Sequence, residues 1–378
     1  MTAKQVGVVG GGQLAWMMGQ VAPKLDLELI VQTPHQSDPA VSRANQVVLG
    51  AIADAQATAK LATFCDVITF ENEFIDLDAL EKLANQGIIF HPSLKALAPL
   101  LDKYDQRTYL QKIGLPVPQF SLLQPDTDLK QFSGDRFPKV LKACRHGYDG
   151  KGTFIVRDLA ELTTTWHKYD RPAMLLEDFI PFRKELAIMV ARNKRDEVVT
   201  YPVVETIQKE QVCRWVIAPA DVNSEVAESA KAIATILVRE LDYVGVLGIE
   251  FFLTTENQLL INEIAPRTHN SGHYSLDGCD ISQFEMQLRA VTDLPLTDPV
   301  MKSPAALMVN LLGYETSDSD YAEVRTQIQQ IPQSFLHWYN KGQSRPGRKL
   351  GHVTVLLDSN LGSPVTEIAL RIDSLWCQ

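Results

Sequence analysis

Apolar and polar positions follow two alternating periods over the first 95 or so residues. Short apolar runs typical of buried strands are separated by stretches whose apolar residues recur at helical spacing. The predicted strands cover residues 5–10, 27–32, 66–70 and 88–90, and helices are predicted from Gln13 and near residues 55–64 and 77–85. Strands and helices that alternate in this way favour a parallel sheet covered by helices, so we predict an α/β domain over residues 1–98.

A different order of elements follows from Pro99 onward. A helix is predicted over residues 103–112; Gly114 ends it, and the next four residues, which include Pro116 and Pro118, cannot continue it. Strands are predicted over residues 139–143, 153–156, 173–179, 186–191 and 198–203, a helix over 224–240, and a strand pair within 246–262. We assign an α+β domain to residues 99–302 and, after Ser303-Pro304, a small mixed domain to residues 303–378.

Composition narrows the class of protein without giving a function. Hydrophobic residues make up 45% of the 378 residues and charged residues 22%, which is typical of a globular chain. The net charge of −10 disfavours nucleic acid as a partner, because the chain as a whole repels polyanions. The sequence has no signal-peptide pattern, no apolar run of about 18 residues and no Cys-x-x-Cys pair. We therefore expect a cytoplasmic protein without a membrane span, a zinc knuckle or a disulfide framework.

The first candidate for chemistry is the glycine turn Gly10-Gly11-Gly12, which precedes a predicted helix. Together with Ala15 it satisfies the G-x-G-x-x-A pattern of dinucleotide-binding turns. An NAD site also needs a carboxylate near the end of the second strand, but that strand ends in Gln32. Two interpretations stay open: the helix N-terminus binds an anion such as a substrate phosphate, or the turn is structural.

A second glycine cluster, Gly147-Tyr148-Asp149-Gly150-Lys151-Gly152, lies between two predicted strands. Glycines let backbone N–H groups approach phosphates closely, and Lys142 and Lys151 add positive charge. The spacing is not that of a Walker A loop. We predict a loop that covers phosphates and presents Tyr148 and Asp149 to a second substrate; the alternative is a solvated hairpin.

Two glutamates, Glu250 and Glu263, flank a predicted hairpin. If its loop is the two residues Glu256-Asn257, the shortest common connection, Phe252 faces Ile261 and Glu250 faces Glu263 on one side of the sheet. Facing like charges repel unless a cation lies between them, as Mg²⁺ does when carboxylates and nucleotide phosphates share it. The hairpin therefore predicts a divalent-metal site, and the alternative is a pair of solvated glutamates.

Two polar segments follow the hairpin. Residues 265–273 form a short loop, bounded by proline and glycine, in which Arg267 and His269 offer hydrogen-bond donors to a substrate. His269 and His273 are spaced i, i+4, but Ser271-Gly272 between them disfavours a helical zinc pair. A basic group further on predicts either a phosphate-monoester pocket or a solvated loop; its members are Lys341, Arg345, Arg348 and Lys349.

Taken together, these segments resemble one family over nearly the whole chain. The chain is similar to the 5-(carboxyamino)imidazole ribonucleotide synthases among the ATP-grasp enzymes. The most specific segments are Gly10-Gly11-Gly12-Gln13-Leu14, Gly147-Tyr148-Asp149-Gly150-Lys151-Gly152, Asn262-Glu263-Ile264-Ala265-Pro266-Arg267-Thr268-His269-Asn270-Ser271-Gly272-His273 and Arg345-Pro346-Gly347-Arg348-Lys349-Leu350-Gly351-His352. The resemblance implies an ATP-grasp fold with an N-terminal Rossmann-like parallel-sheet domain and a small mixed C-terminal domain that completes the substrate site.

The resemblance also implies a reaction. ATP, bicarbonate and 5-aminoimidazole ribonucleotide (AIR) would give 5-(carboxyamino)imidazole ribonucleotide, ADP and phosphate through carboxyphosphate, which is a step of purine biosynthesis. Mg²⁺, with Mn²⁺ as an alternative, would bind with the nucleotide. A homodimer is expected on the same ground.

Site residues are implied by the resemblance position by position. ATP would contact two lysines, the glycine loop, an adenine hinge and the hairpin, namely Lys103, Lys142, Gly147, Tyr148, Asp149, Gly150, Lys151, Gly152, Thr153, Glu177, Asp178, Phe179, Ile180, Glu185, Gln208, Asn262 and Glu263. Glu250 and Glu263 would hold the metal. Bicarbonate, carboxyphosphate and the aminoimidazole would be surrounded by Tyr148, Asp149, Arg267, His269 and Lys341, with Asp149 the best candidate to accept the amine proton. Gln13, Arg345 and Arg348 would bind the substrate phosphate.

Some positions depart from the family pattern, and two other functions compete with this one. Trp16, His146 and Gln208 differ from the residues that the family commonly has. Another ATP-grasp ligase, such as a formate-dependent glycinamide ribonucleotide transformylase, is disfavoured by the basic segment. An inactive nucleotide-binding protein would be expected to lose Lys142 or one of the two hairpin glutamates, and all three are present.

Overall fold

Three β-sheets carry the fold in the computed structural model, which describes residues 4–145, 152–358 and 363–376. In chain order the strands are β1 (Gln5–Val9), β2 (Glu28–Thr33), β3 (Gln46–Leu49), β4 (Val67–Phe70), β5 (Phe120–Leu123), β6 (Lys139–Ala143), β7 (Thr153–Val156), β8 (Met174–Asp178), β9 (Phe182–Arg192), β10 (Val198–Thr200), β11 (Val204–Lys209), β12 (Val212–Ala218), β13 (Gly245–Thr254), β14 (Leu259–Ala265), β15 (Ala305–Leu312), β16 (Ser334–Trp338) and β17 (Lys349–Leu357). The α-helices are α1 (Gln13–Val21), α2 (Ala55–Ala62), α3 (Leu77–Ala84), α4 (Leu94–Leu97), α5 (Lys103–Lys112), α6 (Leu159–Lys168), α7 (Ser224–Glu240), α8 (Ser275–Gly278), α9 (Gln283–Val291), α10 (Ala322–Gln329) and α11 (Ser363–Trp376). Short 3₁₀ helices cover Ala22–Leu25, Pro39–Arg43, Ala98–Leu100, Leu129–Phe132 and Asn270–Gly272.

The first sheet confirms the parallel sheet predicted for the N-terminal part of the chain. Its strands lie in the order β3-β2-β1-β4, and every neighbouring pair is parallel. Val8 packs with residues of α1 on one face, and Ile30 packs with residues of α2 on the other. The predicted strand at residues 88–90 is reduced to a single parallel bridge between Ile68 and Phe90.

The strands on either side of the second glycine cluster belong to a four-stranded antiparallel sheet. Its order is β5-β8-β6-β7, and Lys142 on β6 pairs with Thr153 on β7. The sheet packs against α6 through a core that includes Leu141 and Trp166. The intervening predicted site residues lie outside the described part of the chain; they are Gly147, Tyr148, Asp149, Gly150 and Lys151.

The largest sheet has nine strands and runs across the predicted boundary at residue 303. Its order is β14-β13-β9-β11-β12-β15-β17-β16, and β10 pairs with β9. All its strand pairs are antiparallel, and β12 pairs with β15 through Trp215 and Val309, among others. The central and C-terminal parts of the chain therefore share one sheet, and the division into three domains stays a prediction.

The prediction of one strand over residues 198–203 is wrong. Strand β10 ends at Thr200, and a new strand, β11, begins at Val204. Pro202 lies between them, and proline has no backbone N–H to donate to a strand partner. The chain pairs with β9 on both sides of this interruption, β10 with residues 190–192 and β11 with residues 185–187.

Side-chain caps set the starts of the helices that carry or support the site. Asp102 accepts hydrogen bonds from the backbone N–H groups of Tyr104 and Asp105, which fixes the start of α5 at Lys103. Asn223 caps α7 in the same way, and both helices have the bounds predicted from the sequence. Among the described residues, no helix is both long enough and apolar enough to cross a membrane.

The two faces of the nine-stranded sheet pack against different parts of the molecule. On one face, Leu186 and Ile249 join a core shared with the N-terminal sheet and α7. On the other face, Ala187 packs in a core that includes residues of α9. Glu250 on β13 pairs with Ala187 on β9, and Glu185 lies two residues before Ala187 on β9. Both carboxylates are therefore on this second face. The candidate chemistry is concentrated there.

Candidate active site

The hairpin between β13 and β14 differs from the predicted one at its tip. Phe252 pairs with Leu260, one residue away from the predicted partner Ile261. The loop is longer than two residues because the backbone N–H of Thr254 donates to the carbonyl of Gln258 at 3.0 Å. The two-residue loop Glu256-Asn257 and the register that it imposes are therefore wrong.

A β-bulge nevertheless places the two glutamates opposite each other. Between the Glu250–Glu263 pair and the Phe251–Ile261 pair, β14 contains one extra residue, Asn262. The extra residue offsets the longer loop, so the predicted facing of Glu250 and Glu263 is confirmed. The side chains of the pair are 18% and 46% exposed, respectively.

The two facing carboxyl groups have opposite electrostatic surroundings. Burial, the Glu263 charge and the Glu185 charge raise the pKa of Glu250 to about 8. Burial also acts to raise the pKa of Glu263, but the Lys103 ammonium, 2.8 Å away, holds that pKa at about 2. Burial raises the pKa of Glu185 to about 7. Such a set suits a cation, since a positive ion would favour the ionised form of Glu250 and offset its repulsion from Glu263 and Glu185.

This donor chemistry fits Mg²⁺ bound together with a nucleotide. Mg²⁺ is usually bound through one or two carboxylates plus substrate phosphates, and it rarely has a cage made only of protein groups. In the described part of the chain, no group of three or more His, Cys, Asp or Glu side chains could hold a metal alone. Glu250 and Glu263 would provide the two carboxylates, and the charges of Lys103 and Lys142 act on Glu263 from close by.

Lys142 lies in a ring of four residues, three of them buried. Its ammonium is 2.6 Å from one oxygen of Glu177 and donates to the side-chain oxygen of Asn262 at 3.1 Å. Arg107, from α5, closes the ring because it donates to the second oxygen of Glu177 and to the backbone carbonyl of Asn262. Burial lowers the pKa of Lys142; burial acts to raise that of Glu177, but Arg107 and Lys142 hold it below its usual value.

The predicted adenine hinge begins on β8, the strand that carries Glu177, and continues directly after it. Asp178 forms an ion pair with Lys139 at 2.7 Å, and Phe179 and Ile180 are half-buried beyond it. The ring of Phe182 stacks on that of Phe252 with centroids 4.7 Å apart. Three further predicted ATP residues lie on adjoining strands or their ends: Gly152 and Thr153 at the start of β7, and Gln208 on β11, the neighbour of β9.

The glycine turn before α1 lies against a carboxylate of the protein. Glu71, directly after β4, accepts hydrogen bonds from the N–H groups of Gly12 and, at 2.9 Å, Ala15. Gly10 has a φ of +116°, and a Cβ placed there would be 2.2 Å from Cγ of Glu71. Of the two interpretations left open by the sequence, the structure supports a turn whose N-terminal helix charge is met by Glu71.

The basic segment near the C-terminus approaches this glycine turn. The ammonium of Lys341 donates to the side-chain oxygen of Gln13 and to the carbonyl of Lys349, both at 2.7 Å. Burial and the neighbouring Arg345 lower the pKa of Arg348. The charge of Asp38, which follows β2, acts in the opposite direction. Lys341 thus joins the segment that starts α1 to the basic segment, and the grouping of Gln13 with Arg345 and Arg348 stays a prediction.

The loop after β14 connects the carboxylate pair with this polar region. Arg267 pairs with Glu73 at 2.9 Å, and the charge of Glu71 also acts on it. His269 has Nε2 at 3.9 Å from Glu250 and Nδ1 at 2.8 Å from the hydroxyl of Ser271. His273 points elsewhere, because its ring packs on His352 and Phe284 in the core.

Sequence reasoning did not identify several groups of this site. Glu71 and Glu73 follow β4, and acidic residues at the carboxyl end of a parallel strand are a usable signal that we applied only to β2. Arg107 lies inside a helix with no local motif around it. Gln283 holds the backbone of His269 through hydrogen bonds of 2.9 and 2.7 Å to its N–H and carbonyl, a long-range contact without a sequence signature.

Comparisons with known families cover almost the whole chain. Residues 3–99 match the family described as the ribonucleotide synthetase preATP-grasp domain, residues 108–284 the ATP-grasp domain, and residues 306–361 the phosphoribosylaminoimidazole carboxylase C-terminal domain. These matches confirm the predicted ATP-grasp fold and the family resemblance.

Individual relatives agree with the family matches. The N5-carboxyaminoimidazole ribonucleotide synthase of Synechococcus elongatus is 53% identical over 99% of this chain and 94% of its own length. The crystal structure of the N5-carboxyaminoimidazole ribonucleotide synthetase from Thermotoga maritima has a TM-score of 0.86, 37% identity and 98% coverage of both chains. The synthase from Aspergillus clavatus, in complex with ADP and 5-aminoimidazole ribonucleotide, has a TM-score of 0.88 and 32% identity over 99% of this chain and 98% of its own. This chain belongs to the N5-carboxyaminoimidazole ribonucleotide synthase family of ATP-grasp enzymes.

Proposed function

We propose that this chain carboxylates AIR to 5-(carboxyamino)imidazole ribonucleotide with ATP and bicarbonate, as a ligase of purine biosynthesis. The observation that carries the proposal is full-length similarity, at 53% identity, to a relative that bears the name of this synthase. A structural neighbour that holds both ADP and AIR supports the same pair of substrates. The formate-dependent transformylase alternative has no such support among these relatives.

In the part of the site around the hairpin and β8, the chain's own residues would bind and orient ATP. Lys103 and Lys142 would contact phosphates, the segment Glu177-Asp178-Phe179-Ile180 the adenine, and Glu185 the ribose. Glu250 and Glu263 would hold Mg²⁺, or Mn²⁺ in its place, and the ion would neutralise charge on the phosphates during phosphoryl transfer. Gly147, Gly150, Lys151, Gly152 and Thr153 would cover the phosphates, while Gln208 and Asn262 would complete the site.

In the acceptor half, a bicarbonate oxygen would attack the γ-phosphorus of ATP, so that ADP leaves and carboxyphosphate forms. Carboxyphosphate would release phosphate and CO₂, and the exocyclic amine of AIR would attack the carbon of CO₂ and lose a proton. Exclusion of water matters because carboxyphosphate hydrolyses readily. Arg267, His269 and Lys341 would surround these species, together with Tyr148 and Asp149 of the glycine loop.

The substrate phosphate would bind between the two chain ends. Gln13 is held by Lys341 at 2.7 Å, and the basic segment that contains Arg345 and Arg348 lies next to it. Asp149 as proton acceptor, a homodimer and a cytoplasmic location stay predictions from the sequence resemblance.

The experiment that tests this function measures phosphate release from Mg·ATP and bicarbonate with and without AIR. We expect release to depend on AIR, and Glu263→Gln to abolish it. Glu256→Gln is a matched control, because Glu256 belongs to the same hairpin but lies exposed in its loop, where it accepts from the Thr255 hydroxyl at 2.7 Å. Release that another acceptor stimulates but AIR does not would overturn the substrate and keep the ATP-grasp chemistry.

A further inference from the structure

Arg107 is a buried cation that no predicted role uses. Its side chain is 2% exposed, and it belongs to α5, one turn after Lys103. Its guanidinium donates to the carboxylate of Glu177 and to the backbone carbonyl of Asn262. One planar group therefore joins β8, which precedes the adenine hinge, to β14, which carries Glu263.

The carbonyl that Arg107 binds belongs to the bulge residue of the hairpin. Without the extra residue at Asn262, the register at the loop would place Glu250 opposite another residue and would turn Glu263 to the other face. A bulged residue lacks the ladder hydrogen bonds of a regular pair, so an external donor can stabilise it. Arg107 supplies that donor at the carbonyl, and Lys142 supplies one at the side chain.

Arg107 also sets the charge balance around Lys142. Glu177 is 2% exposed and lies between the two cations, with Lys142 at 2.6 Å. If Glu177 had only Lys142 as partner, the pair would be neutral. With Arg107 on its other oxygen, the three groups carry one net positive charge, which a phosphate beside Lys142 would experience at low local dielectric.

We propose that Arg107 is a positioning residue of the nucleotide site: it fixes the Asn262 bulge that makes Glu250 and Glu263 face each other, and it compensates the charge of Glu177, so that Arg107, Glu177 and Lys142 together keep one net positive charge beside a phosphate. The proposal rests on the proposed nucleotide site. It assigns Arg107 no contact with substrate. A guanidinium is required because an ammonium cannot span the carboxylate and the carbonyl together with the same geometry.

Two substitutions separate the two effects. Arg107→Lys keeps the positive charge beside Glu177 and loses the span to Asn262, so the enhancement of ADP binding by Mg²⁺ should fall about tenfold or more, while metal-free ADP binding changes little. Arg107→Met loses both, so metal-free ADP binding should also weaken about tenfold or more. Titration calorimetry with ADP, with Mg²⁺ or with EDTA, measures both quantities without turnover.

A matched control is available in Arg192. This arginine is 9% exposed, donates to Asp196 at 2.8 Å and to the carbonyl of Tyr243 at 3.0 Å, and lies at the far end of β9. Arg192→Lys removes a comparable guanidinium that joins a carboxylate to a backbone carbonyl. Because Arg192 lies away from the nucleotide site, this variant should leave Mg·ADP binding unchanged. Equal losses in the Arg192 and Arg107 variants would overturn the proposal, because they would show a general loss of rigidity.

The Glu263→Gln background provides the second test. If Arg107 acts through the carboxylate pair, adding Arg107→Lys to Glu263→Gln should cause no further loss of the Mg²⁺ enhancement. Additive losses, or wild-type binding by Arg107→Lys, would refute the inference. Should Arg107→Met fail to fold, Arg107→Lys and the double variant decide the question. A wild-type protein that does not bind Mg·ADP would instead refute the proposed function.

Discussion

Replacing Glu250 with glutamine should stabilise the metal-free protein although it removes a predicted metal ligand. Glu250 lies opposite Glu263 and on the same sheet face as Glu185, and its own side chain is mostly buried. These surroundings raise the pKa of Glu250 from 4.5 to about 8. Because glutamine mimics the protonated carboxyl and cannot ionise, the variant avoids the cost of a charge at this position.

The size and the sign of the effect follow from the two pKa values. Below pH 4.5 the carboxyl is protonated in the folded and the unfolded chain, so the substitution has little effect. Between pH 4.5 and about 8 only the unfolded chain is ionised, and wild-type stability falls by about 1.4 kcal/mol per pH unit. The variant should therefore gain about 3 kcal/mol over wild type at pH 7, and more above pH 8.

Urea unfolding in EDTA, at several pH values from about 5.5 to 8.5, measures this difference. Titrating groups that do not interact with Glu250 are common to both proteins and cancel when the two free energies of unfolding are subtracted. Glu263→Gln is the opposite case, because Lys103 holds the pKa of Glu263 at about 2 and the ionised form is the stable one. That variant should lose stability at neutral pH, by less than its pKa implies because the side chain is half exposed.

A pH-independent difference between wild type and Glu250→Gln would refute this reasoning, since the pKa of Glu250 would then be close to normal. So would stabilisation by both substitutions, which would mean that Lys103 does not pair with Glu263 in solution. In either case the carboxyl groups of the pair would lack the opposite pKa shifts that make the pair suited to a cation. The expected result is a protein that is more stable and yet unable to bind Mg·ADP.

Three further predictions concern other parts of the site and the core. Lys142→Met should weaken metal-free ADP binding about tenfold or more in calorimetry, and unchanged binding would remove this lysine from the phosphate site. Burial lowers the pKa of His273 and of His352 well below 6.5, so the unfolded chain takes up protons that the folded chain does not, and the two histidines should cost stability as the pH drops below about 6.5. The loss on going from pH 7 to pH 5 should therefore be smaller in His352→Gln than in wild type, because carboxyl groups with raised pKa values, such as Glu185, are common to both proteins; equal losses in urea unfolding would contradict this. Gly12→Ala should cost about 1–3 kcal/mol in urea unfolding, because its Cβ would lie 2.7 Å from the carboxylate oxygen that caps α1, and a neutral result would show that this carboxylate can move.

Much of the fold could be predicted because its elements are specified locally. The bounds of α5 and α7 are correct since a capping side chain, Asp102 or Asn223, marks each start; a periodic apolar face follows in α7, and Gly114 lies just beyond the end of α5. Strands in the N-terminal sheet are also specified locally, by short β-branched runs. What could not be predicted is pairing between distant strands, such as β12 with β15, because no local pattern records which edges meet.

The candidate site divides in the same way. The Glu250–Glu263 pair was predictable because both residues belong to one hairpin, where a short loop limits the possible registers. The predicted loop was nevertheless wrong, and the pair survived because the bulge at Asn262 offsets the loop by one residue. Such a bulge depends on a donor from another element, here Arg107, and sequence reasoning about the hairpin alone has no access to it.

The glycine turn shows why a motif must be read together with the groups that surround it. The pattern at Gly10 to Ala15 has the strand–turn–helix context of a dinucleotide site, and only the missing acid after β2 argued against one. The structure supplies a physical reason: Glu71 accepts from the N–H groups of Gly12 and Ala15, the groups that a pyrophosphate would need. Its carboxylate repels a phosphate at that helix end and neutralises part of the helix charge. The predicted phosphate site therefore relies on Gln13 and the basic segment, and not on the N–H groups of the turn.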